Sequence, residues 1–154
     1  MKICILAKKN KPYVKEIIYL TKKHFHNTEV YLGINGDKYP KKLNDKKYDI
    51  IISYLSPWIL SKKTLSKTKL FNINFHPGPP EYPGIGCYNF AIFNGASNYG
   101  VTAHIMEDKV DTGKIIKVKR FKINKKITVD ELILKSYLAM FNLYNNILID
   151  FIIK

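Results

Sequence analysis

Arginine is nearly absent from this chain: of its 26 basic residues only Arg120 is an arginine, in a 154-residue sequence with a formal net charge of +14. A basic surface binds nucleic acid through counterion release, but bidentate contacts to phosphate and guanine favour the guanidinium fork. The lysines also fall in scattered pairs such as Lys8–Lys9, Lys41–Lys42 and Lys125–Lys126. Nucleic acid is therefore not the expected partner. The richness in Lys, Asn, Ile and Tyr reads as AT-rich coding of a solvated surface, whose positive field still steers anionic substrates. Cysteine is scarce too. Cys4 and Cys87 lie in unlike contexts with no CxxC spacing, which indicates two reduced thiols and neither a zinc site nor a disulfide framework. No run of about 18 apolar residues occurs, and MKICILAKKN lacks a signal peptide's long apolar stretch. The expectation is a soluble, cytoplasmic protein without a membrane partner. Glycine, finally, is missing from the first β-to-α turn, AKKNKP (7–12). A dinucleotide fingerprint needs glycines there so that backbone amides can approach pyrophosphate, so NAD and FAD are not the expected cofactors.

The residues present describe one domain over 1–154. Apolar runs at 2–7, 28–34, 49–55 and 70–76 read as strands. Between them, Val14, Ile17, Ile18, Thr21 and Phe25 share a helical face, and a short helix is expected from Pro57 to about Leu65. Further on, 87–95 reads as a helix and 99–106 and 114–123 as strands. The C-terminal helix opens on a capping box, Thr128 and Glu131, and carries an apolar pattern from Leu132 to Ile153 that Asn142, Asn145 and Asn146 interrupt, marking a bend. This alternation predicts an α/β fold, a Rossmann-like three-layer domain whose mostly parallel central sheet is flanked by helices.

Segment 76–86, HPGPPEYPGIG, holds four of the seven prolines and three of the eight glycines. It must be an ordered, irregular loop, and such loops commonly serve a site. Just before it, Asn74 and His76 share one strand face, roughly 7 Å apart at Cβ. They stand at a strand's carboxyl end, where ligands of α/β sheets gather. Asp111 lies in VDTG (110–113), a turn that can reach the same edge. An amide, an imidazole and a carboxylate suit acyl transfer to an amine. Asn74 and a protonated His76 donate to the developing oxyanion, while Asp111 stabilises the imidazolium and relays protons.

NFHPGPPEYPG (74–84), followed by GVTAHIMEDKVDTGKII (100–116), resembles the catalytic core of the folate-dependent formyltransferases. That family includes glycinamide ribonucleotide, methionyl-tRNA and sugar N-formyltransferases. The resemblance implies the formyltransferase fold, Asn74, His76 and Asp111 as catalytic trio, and N10-formyltetrahydrofolate as donor. It places the folate pterin between Trp58, Ile59 and Leu60 on one side and Met106, Glu107, Asp108 and Val110 on the other. His104 and Gly113 take supporting roles, and no metal is implied. The chain departs from the family's usual Pro-Ser-Leu-Leu-Pro after the histidine with Pro77-Gly78-Pro79-Pro80-Glu81. It also lacks the glycine-rich first turn that holds the ribonucleotide phosphate, and a C-terminal domain that grips tRNA is not expected. By elimination the expected acceptor is the amino group of a nucleotide-linked amino sugar.

Rival readings remain at this level. They are transfer to methionyl-tRNA or glycinamide ribonucleotide, hydrolysis of the formyl folate, and a metal-dependent hydrolase with His76, His104 and Asp111 as ligands. His104 can equally be a hydrogen-bonded packing residue, and Trp58 a core residue. His24 and His26 read as surface residues. The apolar stretch 146–154 either packs on the sheet or covers a second copy in a homodimer.

Overall fold

The computed structural model describes residues 1–153, the side chain of Phe151 apart. Six strands form one sheet in the order β2-β1-β3-β4-β5-β6: β1 (Ile3–Lys8), β2 (Thr28–Gly33), β3 (Ile50–Tyr54), β4 (Phe71–His76), β5 (Asn98–Ile105) and β6 (Ile115–Lys122). The first four run parallel, and β5 and β6 are antiparallel to their neighbours. The central strands β1 and β3 are buried along nearly their whole length, which is why they read as continuous apolar runs rather than alternating ones.

Strand alternation divides the core between the two faces. Ile3, Ile5 and Ala7 meet the larger cluster, which includes Val14 and Ile17 of α1 (Val14–His24) and Met140, Leu143 and Tyr144 of the C-terminal helix. Cys4 and Leu6 point the other way, onto Leu43, Tyr48, Leu60 and Leu65. Thr21 of α1 bonds its hydroxyl to the Ile17 carbonyl and to the Tyr144 hydroxyl, tying the two helices over the sheet.

The short helix expected from Pro57 is smaller: α2 spans Lys62–Leu65 only, started by Ser61, whose hydroxyl accepts from the Thr64 amide. Leu55 has a left-handed φ of 54°, and Pro57 disfavours helical geometry at Ser56 before it, so residues 55–60 stay an open loop. A 3-10 turn at Lys41–Asn44 was not expected. α3 covers Cys87–Phe93. The capping box at Thr128 and Glu131 is present, and α4 (Val129–Ile147) passes Asn142, Asn145 and Asn146 without a break before a π-helical turn at Leu148–Ile153. Ile147, Leu148 and Ile152 pack into the larger core. Among the described residues no helix is long and apolar enough to cross a membrane.

Candidate active site

Alternation along β4 turns Phe75 into the core and presents Asn74 and His76 on the opposite face. Across the antiparallel pairing, His104 of β5 stands in register with Asn74. A register shift at Ala103–His104 marks an irregularity where β5 meets β6, a common device for re-aiming a side chain. The β5–β6 connection carries Asp111 in a left-handed conformation, φ 55°, which Asp tolerates better than most residues. Two residues on, a Cβ at Gly113 would collide with the Ile105 carbonyl oxygen. Glycine there lets the turn close back on the end of β5.

Asp111 gathers the site. Its Oδ1 accepts from Asn74 Nδ2 at 3.1 Å and lies 3.1 Å from His104 Nε2. Its Oδ2 accepts from the Gly84 amide at 2.9 Å and lies 3.3 Å from His76 Nδ1. The side chains of His76, His104 and Asp111 are 8%, 5% and 7% exposed. His104 thus stands in the same constellation, in direct contact with Asp111.

Burial opposes charge on both members of the His104–Asp111 pair, and their mutual attraction outweighs it. His104 is held above its ordinary 6.5: desolvation works against the imidazolium, but the Asp111 bond and the Ile105 carbonyl favour it. Asp111 is held below its ordinary 3.8: desolvation is overcome by His104, His76 and the Gly84 amide. The Ile105 carbonyl, 2.8 Å from His104 Nδ1, can only accept, so Nδ1 carries hydrogen and Nε2 is the nitrogen that titrates. When charged, Nε2 donates to Asp111; when neutral, it accepts from Asn74 Nδ2, also 3.1 Å away.

A cavity of about 230 Å³ opens in front of these groups. Trp58, Ile59 and Leu60 form one wall, and Met106, Glu107 and Val110 form another, with Asn74, His76, His104 and Asp111 at the polar end. Six of the seven expected donor contacts therefore line it. Asp108 does not; it pairs with Lys62 at 3.3 Å beside the adjoining depression. Trp58 donates its indole N–H to the Asp37 carbonyl at 3.0 Å and packs beside the second core cluster while facing the cavity. Sequence reasoning missed Ser53, Leu55, Ser56 and Ile85 in the lining, and the loop amide of Gly84 on Asp111. The last is a main-chain contact, and only the glycine-rich composition of the loop hints at it. His24 and His26 are exposed, as expected.

Residues 35–139 match the family model described as formyl transferase. The chain belongs to the formyl transferase family. The bifunctional polymyxin resistance protein ArnA of Wigglesworthia glossinidia brevipalpis is 34% identical over 120 residues, 71% of this chain and 18% of that protein. Methionyl-tRNA formyltransferase of Clostridium novyi is 33% identical over 111 residues, 70% of this chain and 36% of that protein. The chain thus spans well under half the length of either curated relative. Among solved structures, the N-formyltransferase of Helicobacter canadensis in complex with folinic acid and dTDP-3-aminofucose superposes with a TM-score of 0.77 at 24% identity. That likeness, covering 96% of this chain and 62% of the other, shows a shared formyltransferase fold.

Proposed function

We propose that this chain, acting as a single catalytic domain in the cytoplasm, transfers a formyl group from N10-formyltetrahydrofolate to a primary amine, that of a nucleotide-linked amino sugar. The observation that carries this reading is the meeting of Asn74, His76 and Asp111 at the polar end of an apolar-walled cavity. Trp58, Ile59, Leu60 and Met106 offer flat and aliphatic surface suited to a fused ring. The folate donor supplies the formyl carbon and a nitrogen leaving group.

The protein's own groups then do three things. With His104 charged, Asn74 Nδ2 gives one hydrogen to Asp111 and has a second for the negative charge that builds on a carbonyl oxygen, a contribution typically worth about 10²–10³ in rate. His76 Nδ1 and Asp111 Oδ2, 3.3 Å apart, form the pair that takes a proton from the attacking amine and returns one to the leaving nitrogen, worth roughly 10²–10⁴. His104 keeps the Asp111 carboxylate ionised and oriented. No nucleophilic serine or cysteine is needed: Cys87 is a buried free thiol whose pKa burial pushes up, disfavouring the thiolate.

The sugar acceptor is supported by the Helicobacter canadensis protein, whose complex contains dTDP-3-aminofucose. Methionyl-tRNA is the second reading, favoured by the Clostridium novyi relative. A metal-dependent hydrolase fits poorly, because the two histidines approach different oxygens of Asp111. Among the described residues no cluster of His, Cys, Asp and Glu is placed to hold a metal ion.

The deciding experiment incubates the protein with N10-formyltetrahydrofolate and a panel of nucleotide-linked 3-amino and 4-amino sugars, beside glycinamide ribonucleotide and methionyl-tRNA. A formamido sugar is the expected product. Transfer to methionyl-tRNA alone replaces the sugar reading, and formate release without any acceptor replaces transfer with hydrolysis.

A further inference from the structure

The loop between His76 and α3 touches both members of the His76–Asp111 pair with main-chain atoms. The Tyr82 carbonyl lies 2.9 Å from His76 Nε2, and the Gly84 amide donates to Asp111 Oδ2 at 2.9 Å. A carbonyl oxygen only accepts, and so does the Asp111 carboxylate. Of the two nitrogens it is Nε2 that makes a hydrogen bond, at 2.9 Å, while Nδ1 stands 3.3 Å from Oδ2. The single hydrogen of a neutral ring is therefore best held on Nε2, with Nδ1 facing Asp111.

The loop is held in place from outside the site. Thr102 Oγ1 donates to the Gly78 carbonyl at 2.8 Å, and the Tyr82 ring stacks on Tyr99. Arg120 of β6 donates to Glu81 at 2.6 Å, one residue before the critical carbonyl. Pro79, Pro80 and Pro83 fix φ along the segment. The space left for the carbonyl is tight, since a Cβ at Gly78 would sit 2.7 Å from His76 Nε2. The chain's single arginine thus clamps the loop residue next to the group that sets the histidine's hydrogen. A guanidinium is suited to this because its planar donors hold a carboxylate in a defined direction, which an ammonium does not.

We propose that the 77–86 loop is a positioning element for His76: the Tyr82 carbonyl selects the Nε2–H form, making Nδ1 the proton-exchanging nitrogen, and the Glu81–Arg120 pair keeps that carbonyl in place. The structural part stands on the geometry alone, while its effect on rate rests on the formyl-transfer reading. Arg120 and Glu81 side chains are 50% and 53% exposed, so their pair contributes little to global stability. Its effect is local, on a catalytic geometry in which small displacements cost rate.

The test uses the full chain with ¹⁵N-labelled histidine and long-range ¹H–¹⁵N spectra of the His76 ring. In the wild type, Nε2 should show the shift of a hydrogen-bearing nitrogen over the whole range in which the ring is neutral. In Arg120→Ala the two nitrogens should move toward averaged shifts. kcat for formyl transfer should fall by about fivefold with KM for the donor within about twofold, as expected for misplacement rather than lost binding. Arg120→Lys should lie between, and the reversed pair Glu81→Arg with Arg120→Glu should restore both the ring shifts and most of kcat. A neutral wild-type His76 with hydrogen on Nδ1 overturns the proposal. So does an Arg120→Ala variant with unchanged ring shifts and kcat, or a reversed pair no better than the single variants. If the ring spectra behave as expected while no formyl transfer is detected, the positioning role holds and the proposed activity falls.

Discussion

Asp111 faces a histidine on each side, and the two sides are built from different material. On one, His104 belongs to a paired strand and fixes its ring against the carbonyl of its own neighbour, Ile105. On the other, His76 ends β4, and its ring is met by a proline-rich loop that reaches it through main-chain atoms. The first side contributes most to charge, raising the pKa of His104 and, together with the His76 ring and the Gly84 amide, lowering that of Asp111. The second sets direction, leaving one imidazole nitrogen toward the carboxylate. For the proposed transfer, which must move protons in a defined direction, this division is useful, since the group that holds the charge differs from the group assigned to pass the proton.

The comparison breaks most completely if the shared carboxylate is removed. Asp111→Ala should lower formyl transfer by about a hundredfold or more, and His76→Ala and Asn74→Ala should each do the same while circular dichroism shows the fold intact. A fully active His76→Ala enzyme would refute the scheme. Gly113→Ala attacks the turn rather than the chemistry. The new methyl group meets the Ile105 carbonyl, so chemical denaturation should show a loss of about 2 kcal/mol, and relocation of Asp111 should reduce activity with it.

His104→Gln separates the two sides. Loss of the charged partner should cost about tenfold in kcat, near 1.4 kcal/mol, less than removal of His76. Its stability signature depends on pH. A histidine raised above 6.5 contributes stability that is complete below about 6.5 and is lost as pH rises through the higher folded-state value. Asp111, lowered below 3.8, contributes above 3.8 and loses that contribution as pH falls through its folded-state value. The melting-temperature gap between wild type and His104→Gln should therefore be widest near about pH 6 and narrow as pH rises beyond it. A gap that stays constant into the alkaline range would separate His104 from the charge of Asp111. Thr128→Ala, which removes the capping box of α4 far from the site, should cost about 1 kcal/mol and leave the pH dependence of both sides untouched.

Much of this arrangement was readable in the residues. Asn74 and His76 on one strand face follow from strand alternation, and VDTG between two strands announced a turn. The buried runs of β1 and β3 announced a sheet covered on both faces. What escaped reading has a common physical character. The contacts of Tyr82 and Gly84 are made by main-chain atoms, which every residue has and no side-chain pattern marks. Residues 57–61 read as the start of a helix that begins only at Lys62, the chain between staying open after the left-handed Leu55. Asp108, placed with the donor by its position in a motif, lies beside the adjoining depression with its carboxylate 3.3 Å from Lys62.

The single tryptophan has an optical consequence. Trp58 is fixed at its N–H by the Asp37 carbonyl, and its ring lies so close over Gly33 that a side chain there would strike it. The same ring borders the cavity. The chain therefore carries one tryptophan, whose emission can be excited apart from that of its eleven tyrosines, at the wall of the cavity. Its emission can report occupancy in variants that turn nothing over, so affinity for a candidate donor is measurable in the Asp111→Ala protein without waiting for a product.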